Sequence, residues 1–114
     1  MISTANCIFC AIIQKELPSN IIKETDDIIV IKDRSPKAPI HYLIISKKHL
    51  NDIRQLQDND LQIAGDMLLM AKEVSKTLPE PQAFRLLSNN GIEVGQSVFH
   101  MHFHFLAGKT YTDF

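Results

Sequence analysis

Three of the five histidines in this chain, His100, His102 and His104, occupy every second position of the stretch FHMHFHFLAG, residues 99–108. Along an extended strand, alternate side chains share a face. The three imidazoles therefore line one side, and Met101, Phe103 and Phe105 line the other. Two chemistries suit such a row. In the first, His-x-His supplies ligands to a metal. Same-face neighbours lie ~6.6 Å apart and the outer pair ~13 Å apart, so two rings can share an ion but three can hardly do so. In the second, one neutral imidazole attacks phosphorus while its neighbours donate hydrogen bonds to phosphoryl oxygens. Crowded imidazoles discourage one another's protonation, which keeps the attacking ring neutral. A merely solvated polar face is the plain alternative, and it seldom concentrates one titratable type in register.

Other residues can join either chemistry. Ser97, three residues before His100, has a hydroxyl able to donate to a phosphoryl oxygen or pass a proton to a leaving amine. It could equally cap a turn. Gly95 would let the backbone approach a phosphate, and the amides of Gln96 and Ser97 could cradle it. Asp33, at the end of an apolar run, could accept from both hydroxyls of a ribose, although Asp-Arg-Ser-Pro is also a common loop opening. Cys7-x2-Cys10 is a zinc half-site whose other ligands would come from distant sequence; buried small hydrophobes at a helix start are the alternative.

The elements that must position these groups follow from pattern. Cys7–Lys15 reads as a short helix stopped before Pro18. Ile21–Glu24 and Ile28–Lys32 read as a hairpin around Thr25-Asp26-Asp27, and Asp33–Pro39 as a loop. Ile40–Ser46 is a third strand. Asp58 or Asn59 caps a helix from about Asp60 to Thr77, with Leu61, Ala64, Leu68, Ala71 and Leu78 expected to face a sheet. Pro79 and Pro81 end it. Ala83–Ser88 and Val98–Leu106 are the fourth and fifth strands, separated by the turn-rich loop NNGIEVGQS. The order predicts an α+β fold: an antiparallel sheet of five strands, one long helix and a short N-terminal helix.

Composition sets the frame. The 114 residues suit one domain, 1–114, able to bury its own core. Hydrophobic residues make up 45% and charged residues 22%, a balance typical of globular proteins. The net charge of −1 argues against a surface built for nucleic acid. No apolar run approaches the roughly 20 residues of a membrane span, and MISTANCIFC lacks the pattern of a signal peptide. A cytoplasmic protein with reduced thiols is expected, so CIFC suggests a metal clip or redox pair before a disulfide.

His100-Met101-His102-Phe103-His104-Phe105-Leu106 resembles the His-φ-His-φ-His-φ-φ signature of the histidine triad (HIT) superfamily, φ being apolar. NNGIEVGQSVFH resembles its phosphate-binding loop. CIFCAIIQKELPSNII and IKDRSPKAPIHYLIISKKHL resemble the opening and the ribose-side segment of its Hint branch. The resemblance spans Cys7 to Gly108. It implies a homodimer and hydrolysis of purine nucleoside 5′-phosphoramidates, above all adenosine ones. His102 would attack the α-phosphorus, held by the carbonyl of His100, and water would then release AMP. His104 would donate to phosphate, Asn89 would bond near the sugar or phosphate, and His41 would support the nucleophile's hydrogen-bond network. No catalytic metal is implied. Some bacterial-type members hold structural zinc with a set matching Cys7, Cys10, His49 and His100. Arg34 departs from the aliphatic residue common beside the base. The tail, Lys109–Phe114, is short for a segment that tunes specificity in Hint relatives. Two alternatives use the same residues: a dinucleoside polyphosphate hydrolase, against which the CIFC opening argues, and a nucleotide-binding or scaffolding module with incidental hydrolysis. A zinc hydrolase is a further option, which chelator-insensitive activity would exclude.

Overall fold

A computed structural model describes residues 6–113; the ends of the expected 1–114 domain, residues 1–5 and 114, lie outside the described part. Five antiparallel strands form one sheet: β1 (Ile21–Glu24), β2 (Ile28–Lys32), β3 (Ile40–Ser46), β4 (Arg85–Leu87) and β5 (His102–Ala107). Their order across the sheet is β1-β2-β3-β5-β4. Helices α1 (Ile8–Ile13) and α2 (Leu61–Ser75) complete the α+β architecture expected from the sequence.

Both faces of the sheet are covered, and β2 shows why. Its run Ile28-Ile29-Val30-Ile31 is buried throughout, without the polar alternation of a half-exposed strand. Ile28 and Val30 join Ile44, Met101 and Phe105 under α2. Ile29 and Ile31 join Leu43, Ile45, the α1 cap Cys7 and the α1 residues Phe9, Cys10 and Ile12 on the opposite face. The β1–β2 turn forms as read, with the Thr25 hydroxyl accepting from the amides of Ile28 at 3.0 Å and Asp27 at 3.3 Å.

Three sequence expectations shift. First, the buried face of α2 is rotated: Ala71, and Leu78 beyond its end, are buried as expected, but Met67, Met70 and Val74 join them, whereas Leu61 is 78% and Leu68 56% exposed. The helix carries apolar residues on two adjoining stripes, and contact with Ile28, Val30 and Ile44 selects the methionine-bearing one. Second, the α2 cap lies later than Asp58 or Asn59, at Asp60, and makes no side-chain cap bond to the helix. A 3-10 turn at Asp58–Asp60 precedes α2, and the Asp60 carboxylate accepts from the Gln57 amide at 3.1 Å and from Lys48 Nζ at 2.6 Å. Third, β5 starts at His102, not Val98; residues 98–100 form a bend, and the Met101 amide is drawn away to the Leu50 carbonyl at 2.7 Å. β4 is likewise shorter than Ala83–Ser88. Among the described residues no helix is long and apolar enough to cross a membrane.

Candidate functional site

Register places the site. Across β3 and β5, Ile45 faces His102, Leu43 faces His104, and His41 faces Leu106. With two-residue periodicity, His41, His102 and His104 all project from the face that carries α1. His41 then sits diagonally across from His104, within reach of a long side chain. Phe103 and Phe105 turn to the α2 side, Phe105 at 0% exposure, and anchor the strand.

The backbone sets which nitrogen of each imidazole carries the proton. An amide N–H can only donate, so Lys37 N, 3.0 Å from His41 Nδ1, makes that nitrogen an acceptor. His41 therefore carries its hydrogen on Nε2 and donates to His104 Nδ1 at 2.9 Å. His104 in turn carries its hydrogen on Nε2. The carbonyl of His100 lies 2.7 Å from His102 Nδ1 and can only accept, so His102 is protonated at Nδ1 and has a lone pair at Nε2. The two rings meet with centroids 5.2 Å apart. One nucleophilic nitrogen and one donor nitrogen thus belong to adjacent residues on one face.

Electrostatics keeps these rings neutral. Burial pushes His104 down to about 4, helped by the neighbouring His102 and His41. Burial lowers His102 as well, opposed by its bond to the His100 carbonyl and by Asp33. His41 is lowered chiefly by burial, with Asp33 pulling the other way from 3.4 Å.

A cavity of about 180 Å³ opens over the rings, lined by His102, His104, Asp33, Ser97, Ile8 and Phe9. It shares Ile8, Ile12, Asp33 and Arg34 with a larger cavity of about 570 Å³ that continues toward Leu17 and Asn20. On the other side it shares Ile8, Ser97 and Val98 with a cavity of about 370 Å³ that reaches His49 and Phe99. Asp33 thus stands between one pair of cavities and Ser97 between the other. The Ser97 hydroxyl is exposed and has no hydrogen-bond partner among the described residues. One Asp33 oxygen accepts from the Ser35 amide at 2.7 Å, so the loop-opening role read from Asp-Arg-Ser-Pro is real and leaves the other oxygen toward His41.

Several candidates stand back from the rings. Asn89, Gly95 and Gln96 do not line the His102–His104 cavity. Gln96 is 4% exposed and braces the loop: its side chain accepts from the Gly91 amide at 2.8 Å and donates to the carbonyls of Asn51 at 2.6 Å and Val98 at 3.1 Å. Its own amide donates to the Gly91 carbonyl at 3.1 Å, so it is spent within the loop and not free to cradle a phosphate. Gly95 has φ +102 and closes the 3-10 turn Ile92–Val94, a conformation that L side chains resist. His41 reaches His104 and Asp33, and no bond joins it to His102 among the described residues.

His100 departs from its expected position. It precedes β5, is fully buried, and turns from the cavity toward α1. Its Nε2 donates to the Ser46 carbonyl at 2.6 Å, which leaves the Nδ1 lone pair facing Cys7 Sγ at 3.3 Å and Cys10 Sγ at 3.5 Å. His49 Nδ1 lies 3.1 Å from Cys10 Sγ, and its Nε2 is 3.1 Å from Asn51 Oδ1. The four donor atoms of Cys7, Cys10, His49 and His100 lie within 4.8 Å of one another, and this group could hold a metal ion. Both thiols are free. Burial pushes Cys10 up to about 12, with the adjacent Cys7 adding to the effect. Asp33, His41 and His104 form a second such group, but the proton chain through His41 already accounts for it.

Sequence reasoning missed three contributors. Phe9 stands edge-on to His102 at 5.0 Å and to His100 at 5.8 Å. The Ser46 carbonyl and the Lys37 amide set tautomers through the backbone, which no residue type announces.

Comparison with known proteins agrees with this fold. A family model described as "Scavenger mRNA decapping enzyme C-term binding" matches residues 6–114. A HIT-like protein of Synechocystis is 44% identical over 105 residues, covering 92% of both chains. A HIT family hydrolase from Clostridium thermocellum has a TM-score of 0.87 at 42% identity, with 91% of each chain covered. A histidine triad protein from Clostridium difficile has a TM-score of 0.92 at 32% identity, covering 100% of this chain and 99% of the other. The match of the family model over nearly the whole chain, together with these relatives, shows that the chain belongs to the histidine triad superfamily.

Proposed function

We propose that the protein is a hydrolase of purine nucleoside 5′-phosphoramidates, with His102 as its nucleophile. One observation carries this reading: adjacent imidazoles on one face hold opposite protonation at Nε2, a lone pair on His102 and an N–H on His104. A phosphoryl group between them meets an attacking atom and a hydrogen-bond donor that need no rearrangement. The solved relatives named HIT family hydrolases support hydrolysis as the outcome.

The steps follow from the groups present. The nucleotide lies with its ribose hydroxyls toward Asp33 and its base in the larger cavity beyond, near Arg34. His102 Nε2 attacks phosphorus and the P–N bond breaks. The imidazole becomes positively charged, and the His100 carbonyl bonded to Nδ1–H stabilises that charge. His104 Nε2–H bonds a phosphoryl oxygen. The leaving nitrogen takes a proton from Ser97, whose hydroxyl recovers one from water. Water then attacks phosphorus, the N–P bond to His102 breaks, and the nucleoside monophosphate departs. Cys7, Cys10, His49 and His100 would hold structural zinc, which when bound cross-links α1 to the sheet and takes no part in these steps.

The assembly proposed with this reading is a homodimer. Leu61, Leu68 and Leu69 leave an apolar stripe on the outer side of α2, the kind of surface that a second copy covers.

Turnover of adenosine phosphoramidate tests the assignment. AMP should be released, and His102→Ala should abolish release while AMP binding, followed by calorimetry, remains measurable. Full turnover by His102→Ala would overturn it.

A further inference from the structure

His100 belongs to the cysteine cluster and also touches the proposed nucleophile. Its ring faces Cys7 and Cys10 through Nδ1 and is pinned to the Ser46 carbonyl through Nε2. Its own carbonyl, five bonds from that ring's Nδ1, holds His102 Nδ1–H at 2.7 Å. Phe9 lies between the two cysteines in sequence and packs edge-on against both imidazoles. The first turn of α1 therefore grips His100 through sulfur and His102 through an aromatic edge.

Apolar packing of Phe9 and Ile12 against Ile29, Ile31, Leu43 and Ile45 shares in holding this turn. Helix α1 has only six residues, too short to stand without tertiary anchors. The cluster ties it to residues 39 positions away at His49 and 90 positions away at His100. The donor geometry suits a tetrahedral ion. Zinc bonds of about 2.3 Å to sulfur and about 2.0–2.1 Å to nitrogen imply S···N edges of about 3.6 Å. Three of the four S···N edges here are 3.1, 3.3 and 3.5 Å, and the fourth lies within 4.8 Å. Both ring nitrogens facing the sulfurs are lone pairs, because His100 Nε2 bonds a carbonyl and His49 Nε2 bonds the Asn51 amide oxygen. Without an ion, each thiol can donate to one ring, and the cluster's share of the holding falls to two weak S–H bonds beside the apolar packing.

We infer that Cys7, Cys10 and His49 are positioning residues for the nucleophile: a zinc ion shared with His100 immobilises the His100 peptide, and the carbonyl of that peptide holds the attacking ring. The inference rests on the proposed role of His102, but it makes a separate claim, that metal occupancy sets how well that ring is held.

The test uses the intact chain in zinc-loaded form and after stripping with a strong zinc chelator. Elemental analysis should give one zinc per chain before stripping. Stripping should lower kcat about tenfold or more while KM and AMP affinity stay within about twofold, and zinc should restore kcat. Independently of turnover, the His102 Nδ1–H proton should give a sharp NMR signal in the loaded protein and a broadened one in the stripped protein. His49→Ala, which removes a ligand without altering α1, should reproduce both effects. Absence of zinc from the purified protein would overturn the inference. So would a stripped protein with unchanged kcat or an unchanged His102 signal. If His102→Ala retained turnover, the nucleophile assignment would fail, while the NMR comparison would still decide whether metal orders that ring.

Discussion

Replacing His41 by Phe tests the proton chain behind the site. The substitution keeps an aromatic ring of similar bulk at a position 5% exposed, but removes the acceptor for the Lys37 amide and the donor to His104 Nδ1. Two consequences can be sized. A part-buried amide left without its partner costs about 1–3 kcal/mol, so urea midpoints should fall accordingly. His104 then loses the contact that keeps its hydrogen on Nε2. If the ring presents a lone pair to a phosphoryl oxygen instead, a hydrogen bond to a charged group is lost, worth about 1.5–3 kcal/mol. At about 1.4 kcal/mol per decade, kcat should fall about 10- to 150-fold. His41→Gln, whose amide can still donate to His104, should recover part of that loss. The assay is steady-state release of AMP from adenosine phosphoramidate at pH 7.5, alongside circular dichroism. A folded His41→Phe protein with kcat within about twofold of the parent would refute the claim that His41 sets the state of His104.

Acid should destabilise the fold before the carboxylates titrate. His104 is held down to about 4 and His41 and His102 are also lowered, so between about 4 and 6.5 the unfolded chain binds more protons than the folded one. Stability is then complete above about pH 6.5 and declines as pH falls toward 4, by about 1–3 kcal/mol at pH 4.5 after allowance for solvent screening. Urea unfolding at pH 7.5, 5.5 and 4.5 measures it, and a flat profile contradicts the buried neutral rings. On α2, Met67→Ala should cost about 2–5 kcal/mol because Met67 is fully buried. Leu68→Glu should leave the fold intact but abolish dimers in sedimentation velocity; an unchanged dimer would rule out that helix face as the interface.

Much of the architecture was legible because it depends on local periodicity. The two-residue alternation from Met101 to Phe105 tells which side chains share a face, and His102 and His104 do share one. The hairpin at Thr25-Asp26-Asp27 and the two-residue spacing between Cys7 and Cys10 are equally local. Helix α2 shows where periodicity runs out. Leu61 and Leu68 form as convincing a stripe as Met67, Met70 and Val74, and only packing against β2 and β3 chooses between them.

The site divides in the same way. Residue types and spacing determined which imidazoles, thiols and carboxylate are available, because those depend on the chain alone. Tertiary structure decided what each one does. His100 turns to the cysteines and lends only its carbonyl to His102, while Gln96 spends its amide inside its own loop. The proton on each ring is set by a backbone group remote in sequence or invisible to residue type: Ser46 for His100, Lys37 through His41 for His104. An imidazole can donate from either nitrogen, so its role is settled by the partner that folding brings to it.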